Sequence, residues 1–143
     1  MTESTFTMPG VYSNLAVIGD LVEEFLKQAG FTDSRFIYAV QMAVDEACSN
    51  IIEHGYGGEG KGDIWLQLHQ LANGIKVIIQ DQGRPFDPQA VPSPDIHAPI
   101  EERPEGGLGL FLIDQLMDEV NFEFAGGEKA DTNTLTLVKW DDG

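Results

Sequence analysis

The chain has 143 residues, a length that fits one domain and buries roughly 70% of its unfolded surface around a single core. Its 8 Lys and Arg stand against 24 Asp and Glu, a formal net charge of −16 with no basic block, which argues against binding nucleic acid or an anionic membrane. Cys48 is the only cysteine, so an internal disulfide and a cysteine-based zinc site are excluded; no stretch reads as a signal peptide or as a membrane span, and a cytoplasmic protein is expected.

A short extended start at Thr5–Thr7 is stopped by Pro9 and Gly10. Residues 14–29 predict a helix whose apolar face is Leu15, Ile18, Leu21, Val22, Phe25, Leu26 and Ala29, with Gly30 as its stop. A second helix begins after Thr32 or Asp33, either of which can cap it, and runs to about His54; Cys48 within it is expected to be a buried, inert thiol. Gly57, Gly58, Gly60 and Gly62 then break the chain. Ile64–Leu71 alternates as a strand, Asn73-Gly74 signals a hairpin, and Ile75–Gln80 returns. A proline-rich stretch without apolar period follows and predicts a long loop, at about 83–109, of the kind that covers a site. Leu110, Ile113, Leu116 and Met117 recur at helical spacing, and strands are expected near Val120–Phe124 and Thr134–Trp140 around a turn at Gly126-Gly127. Helices early and late around an antiparallel meander give an α+β fold class: a single two-layer sandwich over 1–143.

Three local patterns carry chemistry, each with an ordinary structural alternative. Glu46 and Asn50 stand one turn apart on the side of the second helix opposite its apolar stripe, with Ala39 and Ala43 beside them, where small side chains admit a close neighbour. A carboxamide oxygen there suits Mg²⁺ and a carboxylate can take a proton from a hydroxyl, whereas a solvated helix face is the plain alternative. Asp81 ends a strand two residues before Gly83; it can accept a hydrogen bond from an exocyclic amino group with a flat ring beside the glycine, or simply serve a turn. Gly106, Gly107 and Gly109 open a helix, baring N–H groups and the positive end of the helix dipole to an anion such as phosphate, or else form a flexible turn. The stretch from Gly55 to Gly62 nearly matches a P-loop but fails: Gly62 stands where a Ser or Thr should hold Mg²⁺, and the order is helix–loop–strand. His54, His69 and His97 lack ligand spacing.

Taken in order, Glu46-x-x-x-Asn50, Asp81-x-Gly83 and Gly106-Gly107-Leu108-Gly109 resemble the N, G1 and G2 boxes of the GHKL (gyrase and histidine-kinase type) ATPases. Asp45–Asn50, Glu53-His54-Gly55-Tyr56, residues 106–120 and the ending Thr134–Lys139 are similar to the anti-sigma-factor serine kinases within that superfamily. The resemblance implies an ATP-binding sandwich of mixed, mainly antiparallel sheet with helices on one face. It implies that Asn50 holds Mg²⁺ on the phosphates, Glu46 acts as base toward a serine hydroxyl, and Asp81 reads adenine with Gly83 beside the ring. Gly106, Gly107, Leu108, Gly109 and Leu110 would contact phosphate through their backbone, Arg103 would neutralise phosphate charge, and Thr134 would support the adenine site. The implied partners are a small anti-sigma-factor antagonist, phosphorylated on serine, a sigma factor, and a second copy of the chain. A nucleotide-gated binding module without kinase activity is the alternative. One departure is Pro85, which replaces the second glycine of the expected Asp-x-Gly-x-Gly; a fixed φ and a missing N–H make a stiffer loop.

Overall fold

The computed structural model describes residues 2–85, 113–125 and 132–141. Its helices are α1 (Asn14–Gln28) and α2 (Ser34–Asn50), the latter continued by a π-helical turn, Ile51–Gly55. Strands β1 (Glu3–Pro9), β2 (Asp63–Leu71), β3 (Gly74–Asp81), β4 (Glu119–Glu123) and β5 (Asn133–Trp140) form one sheet in the order β1-β2-β3-β5-β4. Every pairing among the described strands is antiparallel, so the mainly antiparallel sheet expected has no parallel member there. The two-layer α+β arrangement matches the expectation.

Alternation along the strands creates the two faces. Leu66 and Leu68 stand opposite Ile79 and Val77, which in turn stand opposite Leu135 and Leu137. These side chains are buried with Ile18, Val22 and Leu26 of α1 and Val40, Val44 and Cys48 of α2. Burying each large aliphatic side chain contributes about 1.5–3 kcal/mol, so this seam is the main source of stability. The Cys48 thiol lies wholly inside it, and burial pushes its pKa strongly upward, as expected of an inert thiol.

Local signals match the helix ends. Gly30, at φ +97°, follows α1 in a conformation that side chains disfavour. Of the two possible caps for α2, Asp33 serves: its Oδ1 accepts from the Arg35 N–H at 2.9 Å. The first strand is longer than Thr5–Thr7, because all of Glu3–Pro9 pairs with β2 and Phe6 and Met8 pack on the core. Residues 113–116 are helical, Ile113 and Met117 enter the core, and Lys139 Nζ donates to the Leu116 carbonyl at 2.8 Å, capping that helix end. The start of that helix, the loop beyond Pro85, His97 and the turn at Gly126-Gly127 lie outside the described residues.

Leu66 is fully buried at the centre of the seam. Leu66→Ala is expected to lower stability by about 2–5 kcal/mol. Urea unfolding should show this as a lower midpoint at unchanged slope.

Candidate functional site

Asn50 closes α2 and is only 5% exposed, although its helical position was expected to meet solvent. The reason is that α2 is buried on more than one stripe: Ala39 and Ala43, on the Asn50 side, are buried too. Asn50 Nδ2 has no hydrogen-bond partner among the described residues. An unpaired buried amide costs about 1–3 kcal/mol, so a carboxamide held this way is suited to a ligand. Glu46 lies one turn earlier and is half-buried. Burial pushes its carboxyl above the ordinary carboxylate range, and the neighbouring Asp45 charge adds to the shift. A carboxylate with raised proton affinity is a better proton acceptor near neutral pH.

The π-helical turn after Asn50 brings the helix end to the end of β3. Tyr56 N–H reaches back to the Ile51 carbonyl at 2.8 Å, a wider turn within which Gly55 is buried. Gly55 then meets the Asp81–Arg84 segment directly. The Arg84 N–H donates to the Gly55 carbonyl at 2.7 Å, and a Cβ on Gly83 would lie 2.5 Å from the Gly55 carbonyl carbon. Tyr56 adds a second tie: its hydroxyl donates to the Asp63 carbonyl at 2.5 Å and accepts from the Gln82 N–H at 3.0 Å. Gly83 was expected to leave room for a flat ring, but the space its missing Cβ vacates holds the Gly55 peptide. The glycine serves backbone packing there.

Asp81 is buried, 3% exposed, at the end of β3. Its Oδ1 accepts from the Gly83 N–H at 2.9 Å and from Asn133 Nδ2 at 3.0 Å. Burial raises the Asp81 pKa, while these two donors pull it back. Its charge adds to the upward push that burial exerts on the Cys48 thiol of α2.

The Thr134 side chain, expected to support the adenine site, stands apart from Asp81. It stands opposite Gln80, whose Nε2 lies 3.2 Å from the Thr134 hydroxyl, whereas Asp81 stands opposite Asn133. Strand alternation therefore turns Thr134 to the sheet face away from the helices, and Asn133 is the residue that meets Asp81. A strand expected from Thr134 onward leaves Asn133 outside it, and only the register with β3 brings that residue opposite Asp81. Arg103, Gly106, Gly107, Leu108, Gly109 and Leu110 lie outside the described residues.

The described residues bring Gly55, Asp81, Gly83 and Asn133 together at the β3 end, and the π-helical turn joins that cluster to the end of α2, which carries Asn50 and, one turn earlier, Glu46. No group of three or more His, Cys, Asp or Glu side chains among them is arranged to hold a metal ion. The unpaired atom of Asn50 is its Nδ2 donor, which suits an acceptor such as a phosphate oxygen; Mg²⁺ would be held through the other side-chain atom, Oδ1, with phosphate and water completing its shell.

Residues 9–139 match the family model described as a histidine kinase-like ATPase domain. A serine-protein kinase RsbW of Halalkalibacterium halodurans is 35% identical over 125 residues, 85% of this chain and 75% of that protein. One from Bacillus velezensis is 31% identical over 142 residues, 96% of this chain and 76% of that protein. Among solved structures, the RsbU and RsbW domains of Rv1364c from Mycobacterium tuberculosis superpose with a TM-score of 0.68 at 18% identity. That match covers 98% of this chain and 32% of the other, and it bears on the fold alone.

The Gly83–Gly55 contact sets the geometry of the corner. Gly83→Ala must displace backbone, since the atoms its Cβ would meet belong to the Gly55 peptide. The variant is expected to lose about 1–3 kcal/mol of stability, as overpacking does. Its far-ultraviolet circular dichroism should keep the wild-type form, and its affinity for adenine nucleotides should fall at least tenfold, read by calorimetry.

Proposed function

The chain belongs to the histidine kinase-like ATPase family, and with RsbW serine-protein kinases as relatives we propose that it is an ATP-dependent serine kinase acting as an anti-sigma regulator. The observation that carries the proposal is the corner itself: a buried, unpaired Asn50 amide at one side and a buried, hydrogen-bonded Asp81 at the other. A triphosphate and a purine need those two ends.

In this reading Asp81 accepts a hydrogen bond from the adenine amino group and Asn50 holds Mg²⁺. The ion, when bound, supplies charge neutralisation across the phosphates. Glu46 takes the proton of a serine hydroxyl as the serine oxygen bonds the γ-phosphorus and the bond to the β–γ bridging oxygen breaks, releasing ADP. Most of the acceleration then comes from positioning and electrostatics, as is general for phosphoryl transfer. Arg103 and the backbone of residues 106–110 are assigned to the phosphates on the strength of the motif alone. The substrate serine belongs to an antagonist protein, and the protein sequestered is a sigma factor; both assignments rest on the kinship with RsbW. A second copy of the chain is the third proposed partner.

Transfer of labelled γ-phosphate from ATP to a serine of a candidate antagonist tests the function directly. Glu46→Ala is expected to keep ATP affinity and lose transfer rate by about 10²–10⁴-fold, the usual worth of a general base. The wild-type rate should fall as pH drops through a value above the free glutamate pKa of about 4.3, because only the ionised Glu46 accepts a proton and burial raises its pKa. The acid limb should vanish in the variant. Asn50→Ala is expected to abolish the Mg²⁺ dependence of ATP binding, measured by calorimetry with and without chelator.

A further inference from the structure

We propose that Asn133 is the positioning residue that makes the site selective for a 6-amino purine, by occupying one oxygen of Asp81 and leaving the other as a hydrogen-bond acceptor. The proposal rests on the nucleotide reading above and concerns a residue that touches Asp81 rather than the base.

Asn133 is 2% exposed, and its amide is fully assigned by its surroundings. Its Oδ1 accepts from the Ala125 N–H at 2.8 Å, while Nδ2 donates to Asp81 Oδ1 and to the Gly83 carbonyl, each at 3.0 Å. Turning the amide over would set oxygen against two acceptors and nitrogen against a donor, so the network permits one orientation. Asp81 Oδ1 is filled from within the protein: it accepts from Asn133 and from the Gly83 N–H, and an ideal Cβ on Gly55 would stand 3.4 Å from it. Among the described residues no donor is bonded to Oδ2.

The chemical consequence concerns which groups can face that second oxygen. An ionised carboxylate only accepts hydrogen bonds. An amino group at purine position 6 donates to it, whereas an oxo group there presents oxygen to oxygen. Two donors on Oδ1 stabilise the ionised form against burial. Without Asn133, Asp81 is free to turn or to keep its proton, and a protonated carboxyl donates to an oxo group as readily as an ionised one accepts from an amino group.

Calorimetric dissociation constants for ATP and for inosine triphosphate, its 6-oxo counterpart, test this in the wild-type chain, Asn133→Leu and the isosteric Asn133→Asp. The wild type should prefer ATP by about 10–100-fold, the range set by one unpaired group at a buried charged site. Both variants should bind ATP more weakly and show a preference below about threefold, with inosine triphosphate retained best by Asn133→Asp. A variant that merely loosens the fold would weaken both nucleotides alike and leave the ratio unchanged; an unchanged ratio in Asn133→Asp overturns the proposal. Equal wild-type affinities overturn it while sparing the nucleotide reading, and wild-type binding of neither nucleotide overturns both.

Discussion

Two glycines pressed peptide against peptide organise this molecule. Gly83 lies so close to Gly55 that any side chain would enter the Gly55 carbonyl group, and the Arg84–Gly55 hydrogen bond fixes the approach. Because Gly55 closes the π-helical turn after Asn50, and Gly83 lies two residues past Asp81, this contact joins the end of a helix that carries an amide to the end of a strand that carries a carboxylate. The Tyr56 hydroxyl, bridging Asp63 and Gln82, ties the same corner to the opening of β2. The sheet and helices supply a rigid frame, yet without the corner their functional side chains would belong to separate elements.

Electrostatics makes the corner an improbable place for an anion and a good one for an ion-bridged triphosphate. Asp81 is part of it, Asp45 and Glu46 lie on the last turns of α2, and burial raises the proton affinity of Glu46 and Asp81. The two carboxylates experience burial differently. Asp81 has two donors on one oxygen, which favours its ionised form and a recognition role; Glu46 has Asp45 as neighbour, which favours proton uptake. A chain of net charge −16 cannot attract phosphate by its overall field, so local donors and a divalent cation must offset the repulsion.

Much of the frame was legible because its signals are local. Apolar spacing marks α1, Asp33 caps α2, and Asn73-Gly74 turns the β2–β3 hairpin. Asp81 was legible as a strand-end carboxylate. What escaped were features set by distant neighbours. The full length of β1 depends on an edge offered by β2, as far along the chain as His69 is from Glu3, and is invisible in the run Glu3–Pro9 itself. Burial of Asn50 depends on what covers the far side of α2, and a helical wheel with one apolar stripe assigns that side to water. The π-helical turn keeps the apolar character of a helix, so nothing in Ile51–Gly55 announces its wider winding. Thr134 and Asn133 differ by one residue, and a one-residue offset in a strand exchanges the faces. The family resemblance located the motifs but could not decide which of two adjacent side chains meets Asp81.

Side-chain and backbone amide signals offer the most direct test of whether one nucleotide spans this corner. In a ¹⁵N–¹H correlation spectrum, Mg²⁺ with a non-hydrolysable ATP analogue should move three resonances together along a single saturating titration: the side-chain amide of Asn50, the backbone amide of Gly83 and the side-chain amide of Asn133. Saturable shifts confined to other residues, with these three unmoved, would contradict a purine triphosphate bound between α2 and the end of β3.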